Sequence, residues 1–161
     1  MQLRCLRTVF FYSLVWLFSG VFSMSVASEE EVAKILQMET APEGVVFEVV
    51  AGDESYLKTA LDKFEIYQQQ LKEKFPDIGL SIVSHGSEQF ALTTANQEKH
   101  ADAHSLVKRI IKTDVPVAVC GGHAKWRGLS DEDFPDYVEV PASGPAKIRD
   151  YQELGYLLVI L

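Results

Sequence analysis

The sequence has only two cysteines, Cys5 and Cys120, among 161 residues. It has no Cys-x-x-Cys, which excludes a thioredoxin-like dithiol mechanism within one chain. It also lacks Gly-x-Ser-x-Gly and Gly-x-x-x-x-Gly-Lys, so neither the common serine hydrolases nor the phosphate-cradling nucleotidases are indicated. Basic residues are few and unclustered: 15 Lys and Arg stand against 23 Asp and Glu, a formal charge of −8. A protein that holds nucleic acid by its phosphates is not expected from that balance. Ten glycines and six prolines are too few for a low-complexity chain. Hydrophobic residues make up 47% and charged residues 24%, ordinary globular values. The length suits one domain at ~100–200 residues per domain.

What is present begins with an address. Met1 to Arg7 carries two arginines and no acid, and Thr8 to Met24 is an uncharged run of 17 residues rich in Phe, Leu and Val. Ser25-Val26-Ala27 then supplies small residues at the −3 and −1 places of a cleavage site. The pattern predicts a secretory signal peptide over 1–27, cut before Ser28. The alternative is an uncleaved anchor, since the apolar run falls just short of the ~20 residues that span a bilayer. Cleavage removes Arg4, Arg7 and no acid, which takes the charge to −10. That surface repels anionic lipid and nucleic acid, so no membrane contact is expected after cleavage. Cleavage also removes Cys5 and leaves Cys120 as the one cysteine of an exported domain. An odd cysteine there reads as a reactive thiol or an intermolecular bridge.

Residues 28–43 read as a lead-in segment, a short helix or a mobile stretch. An α/β domain follows over 44–161. Val45–Val50 is an apolar run suited to a strand buried on both faces. Leu57, Leu61, Phe64, Leu71 and Phe75 recur at helical spacing. Leu80–Val83 is a second strand, ending in Ser84-His85-Gly86. Ala103, Leu106, Val107, Ile110 and Ile111 make a second helical stripe. Val115–Val119 is a third strand and runs into Cys120-Gly121-Gly122-His123. Tyr137–Val140 is a fourth, Ser143-Gly144-Pro145 starts a third helix, and Tyr156–Leu161 is a fifth strand. Alternation of this kind predicts a three-layer α/β/α domain with a mostly parallel five-stranded sheet and right-handed crossovers. Sites in such sheets lie beyond the carboxyl ends of the strands, which puts His85 and Cys120 on one rim.

A thiol is a nucleophile as its thiolate. A cysteine at a strand end before two glycines can face free backbone N–H groups, a nest that favours an anion. Lys125 and Arg127 add positive potential nearby, and His123 or His85 can act as proton partner. Such a thiolate attacks a sulfane sulfur, a disulfide or an oxidant. The plain alternative is a buried packing cysteine followed by a tight turn. A metal reading also exists: Cys120-x-x-His123 and the pair His100 and His104 have ligand-like spacing. Against it, His100 and His104 read as a solvated helix face. Trp126 reads either as a pocket wall or oligomer contact, or as cover for the edge of the core.

Several segments together resemble the DsrE/DsrF-like sulfur-transfer family over roughly residues 44–161. They are Val45-Val46-Phe47 with Gly52-Asp53, Val83-Ser84-His85-Gly86, Val117-Ala118-Val119-Cys120-Gly121 and Arg127-Gly128-Leu129-Ser130. Val138-Glu139-Val140-Pro141-Ala142-Ser143-Gly144 and Gln152-Glu153-Leu154-Gly155-Tyr156 complete the series. The resemblance implies a compact α/β/α domain in a homo-oligomer, with sulfur carried as a persulfide on Cys120 and with His85 and Arg127 on the rim beside it. The chain departs from the family in having Gly122-His123 where an Asn often follows the cysteine, and in its export signal. The expectation is a periplasmic sulfur carrier of sulfurtransferase type, with Cys120, His85, His123 and Arg127 as site residues. Its partners would be sulfur donor or acceptor proteins or small sulfane-sulfur compounds. It needs neither metal nor organic cofactor, because thiol exchange requires only a thiolate and a leaving sulfur. The alternative is a non-catalytic binding or assembly module with an inert cysteine.

Overall fold

A computed structural model describes residues 23–161. Residues 1–22, most of the expected signal peptide, lie outside the described residues. The first element, α1 (Ser23–Leu36), contains the expected cleavage point in its second turn. Ser28, Val32 and Ile35 are buried at helical spacing, so the lead-in is a docked helix, packed on a later helix and on the last strand.

The sheet has four parallel strands in the order β3-β2-β1-β4: β1 (Gly44–Val49), β2 (Gly79–Ser84), β3 (Val117–Val119) and β4 (Tyr156–Ile160). Between them run α2 (Tyr56–Lys74), α3 (Ala101–Ile111), a short α4 (Gly121–Trp126) and α5 (Gly144–Glu153). Because β1 is central, Val45, Phe47 and Val49 are buried on one face and Val46 on the other, which explains why it is apolar at every position but Glu48. The first face packs against α1, α2 and α3 around Phe47, Phe64, Leu57 and Leu61, all fully buried. Each such side chain contributes roughly 1.5–3 kcal/mol of transfer free energy. Among the described residues, the second face is covered by α5, through Val46, Val83, Ala118 and Ile148. The chain steps from β1 to β3 with helices on one face, then crosses back to β4 with α5 on the other, as right-handed crossovers require.

The sheet differs from expectation at one edge. Tyr137–Val140 is not a fifth strand but a single parallel bridge, Ala118 to Glu139. Val119 N–H donates to Glu139 O at 2.8 Å and Glu139 N–H donates to Val117 O at 2.9 Å. Pro141 has no N–H to continue the ladder, so pairing ends there. Its carbonyl and that of Ala142 accept from Gly121 and Gly122 instead.

Candidate functional site

The rim beyond β1, β2 and β3 gathers Glu48, His85, Cys120 and His123. Cys120 is not in a loop but is the N-cap of α4, and its Sγ accepts from the His123 backbone N–H at 3.4 Å. The expected nest of free glycine amides does not form. Gly121 N–H donates to Pro141 O at 2.9 Å and Gly122 N–H to Ala142 O at 3.0 Å, so the His123 amide is the one left for sulfur. Cys120 is a free thiol, 8% exposed. Its own N–H is held by Gln89 Oε1 at 2.6 Å.

His85 follows β2 and lies beside Cys120. The junction is Gly144, the first residue of α5. A β-carbon there would lie 2.8 Å from His85 Cβ, 3.3 Å from Cys120 Cβ and 3.4 Å from His85 Cγ. Only glycine allows α5 to start this close, and Ser143 fixes the start by accepting the Ala146 N–H. His85 Nε2–H donates to Glu48 Oε1 at 2.6 Å, with both side chains mostly buried. His123 Nδ1–H donates to His85 O at 3.0 Å, which ties the two histidine segments together. Three expected site residues, Cys120, His85 and His123, thus come together.

Arg127 does not reach the sulfur. It donates to Ser87 Oγ at 3.1 Å and lies 4.8 Å over the Phe90 ring, itself edge-on to His123 at 5.0 Å. A cleft of about 550 Å³ opens on that side, between Glu54, Phe90, Asn96, Arg127 and Leu129, and neither Cys120 nor His85 lines it. Trp126 is 88% exposed, so it does not cover the core.

His100 and His104 are not a solvated pair. His104 is 2% exposed, and both its nitrogens are used: Nε2–H donates to Ala91 O at 3.0 Å and Nδ1 accepts from Tyr137 Oη at 2.5 Å. Burial holds its pKa below the ordinary imidazole value, with repulsion from Lys108 and His100 adding to the effect. Burial also raises the Tyr137 phenol. His100 lies 3.1 Å from Glu54 Oε2, a carboxyl held below its usual range chiefly by Lys99 Nζ at 2.7 Å. Among the described residues, no three His, Cys, Asp or Glu side chains gather as metal ligands.

Three residues at this rim escaped the sequence reading. Glu48 sits inside an apolar run, and only the strand register shows that it shares a face with His85. Glu88 is fully buried and accepts from Ala51 N–H at 2.6 Å, Ser84 Oγ at 2.7 Å and Gly86 N–H at 2.9 Å, which clamps the loops after β1 and β2. Those bonds offset the cost of burying its carboxyl group. Gln89 is fully buried against the Cys120 amide. Glu88 and Gln89 carry no periodic signal. The one hint is that Glu88-Gln89 leads straight into the apolar Phe90-Ala91-Leu92.

This α/β architecture is shared with solved structures. MTH1491, a protein of unknown function from Methanobacterium thermoautotrophicum, is 19% identical, with a TM-score of 0.56 over 73% of this chain and 97% of that one. The ychN protein from E. coli is 16% identical, with a TM-score of 0.54 over 73% of this chain and 99% of that one. At these identities the likeness is one of fold. No family model and no curated protein matches the sequence.

Proposed function

We propose that this chain is an exported sulfur carrier of the DsrE/DsrF-like kind, working in the periplasm through a persulfide on Cys120. The observation that carries the reading is a lone free thiol at the carboxyl rim, its sulfur receiving a helix N-terminal amide beside a carboxylate-held histidine. The fold shared with the ychN protein supports it. In the reaction, the Cys120 thiolate attacks the outer sulfur of a donor persulfide or polysulfide. A new S–S bond forms at Cys120, the donor S–S bond breaks, and its inner sulfur leaves as a thiolate. An acceptor thiolate then takes the outer sulfur in the same way, so no net oxidation occurs. The donor and acceptor are thiol proteins or small sulfane-sulfur compounds, and a homo-oligomer is the proposed assembly. Cleavage before Ser28 would leave Ser28, Val32 and Ile35 in the chain, the α1 residues described as buried.

The second reading, an inert binding or assembly module, is favoured by the low exposure of Cys120. Alkylation decides between them. The carrier reading expects iodoacetamide to modify folded Cys120 near neutral pH faster than it modifies an unstructured cysteine peptide. A slower rate would leave only the inert module.

A further inference from the structure

Glu48 is an anomaly of its strand. It is the only charged residue in Gly44–Val49, and its register partners are Val83 on β2 and Ile160 on β4. The sheet face it occupies is mostly apolar, with Val46, Val83, Ala118 and Leu158 around it and Ser81 as its other buried polar residue. An aliphatic residue there would extend that face and bury more apolar area. A carboxylate at a mostly buried position works against folding unless a partner uses it. Its partner is His85, at 2.6 Å. A carboxylate oxygen is an acceptor only, so the ring proton sits on Nε2. His85 Nδ1 then carries a lone pair and has no hydrogen-bond partner among the described residues. Nδ1 is bonded to Cγ, the ring atom that meets Gly144 across from Cys120 Cβ.

We propose that Glu48 is a positioning residue. It fixes the Nε2–H tautomer of His85, so that Nδ1 receives the Cys120 thiol proton and the resulting imidazolium is stabilised by the carboxylate. The proton leaves Sγ, the electron pair of the S–H bond stays on sulfur, and a thiolate–imidazolium pair results. No direct hydrogen bond joins Sγ to the ring, so the transfer runs through one water or a side-chain rotation. The inference rests on the carrier reading for its purpose, though the tautomer and the thiol reactivity can be measured without it.

The test uses Glu48→Leu and Glu48→Gln in the full mature chain. Glu48→Leu keeps the β-face packed, so its urea midpoint is expected to equal or exceed that of the wild type. Long-range 15N–1H NMR should show His85 as Nε2–H in the wild type and in Glu48→Gln, whose amide oxygen still accepts, and as a tautomer mixture in Glu48→Leu. Alkylation of Cys120 near neutral pH should slow by about tenfold in Glu48→Leu and by less in Glu48→Gln, because the first loses both the acceptor that fixes the tautomer and the charge that stabilises the imidazolium, and the second loses only the charge. A wild-type His85 protonated on Nδ1 overturns the proposal, and so does an unchanged alkylation rate in Glu48→Leu. If alkylation follows Glu48 as expected yet the wild type takes up no sulfur from inorganic polysulfide, the carrier reading fails and the positioning role stands.

Discussion

Two histidines of this fold are held by hydrogen-bonded partners, and the partners leave them in different conditions. His104 projects from α3 and is sealed between the turn after β2 and the segment after α4, with Ala91 O on one nitrogen and Tyr137 Oη on the other. Every polar atom of its ring is consumed, and it can only hold the structure together. His85 uses one nitrogen on Glu48 and keeps the other unused, next to a thiol and partly open to solvent. Burial alone does not separate the roles, since both rings are largely covered. The spare hydrogen-bonding capacity does, and that capacity lies on the thinly covered face of the sheet.

The contrast can be broken in several ways. The largest effect is expected from His104→Ala, which strands the Tyr137 hydroxyl and the Ala91 carbonyl and opens a cavity. It should cost about 2–4 kcal/mol in urea unfolding while leaving the alkylation rate of Cys120 unchanged. His85→Gln should do the reverse. The amide can still donate to Glu48, so stability moves by about 1 kcal/mol or less, but alkylation slows at least about tenfold for want of a base.

Third comes pH. His104 has a folded pKa below its unfolded value, so between the two the unfolded state binds more protons. Its stabilising contribution is full above the unfolded value of ~6.5 and is lost as pH falls toward the folded one, at a limiting slope of about 1.4 kcal/mol per pH unit. Urea titrations between neutral and mildly acidic pH should show that loss in the wild type and a flatter profile in His104→Gln. The smallest effect is expected at Trp126, whose side chain is 88% exposed. Trp126→Ala should stay within about 0.5 kcal/mol of the wild type by thermal unfolding. A larger loss would mean that the site's rim is also a packing surface.

Much of the fold was legible where one physical signal dominated. The run Val45–Val50 reads as a central strand because both its faces are buried, and Ser143 with Pro145 announces α5 because the cap and the preset φ act locally. The short α4 was not legible. Two glycines are poor helix formers, and six residues are too few to show a period. It exists because Pro141 and Ala142 hold its first amides and Cys120 caps it.

The fifth strand failed for a matching reason: its β-rich residues compete with a proline that stops the ladder. Within the site, Cys120 and His85 follow from strand ends, and His123 from its place three residues after the cysteine. Arg127 was placed near the sulfur by proximity in sequence, but α4 carries it to Ser87 and Phe90. His104 was misread as solvated, although Val107 lies three residues on and shares its helix face. Glu48 required the register, which pairs it with Val83 and sets His85 one step further along the same face. A single sequence does not contain that register.

The central claim is that Cys120 accepts and holds a sulfur atom. The direct measurement is peptide-level mass spectrometry of the mature protein after exposure to a small persulfide or polysulfide, alongside Cys120→Ser. The account predicts the added mass of one sulfur atom on the wild-type peptide containing Cys120 and none on the variant. An unmodified Cys120, or equal addition to both proteins, would contradict it.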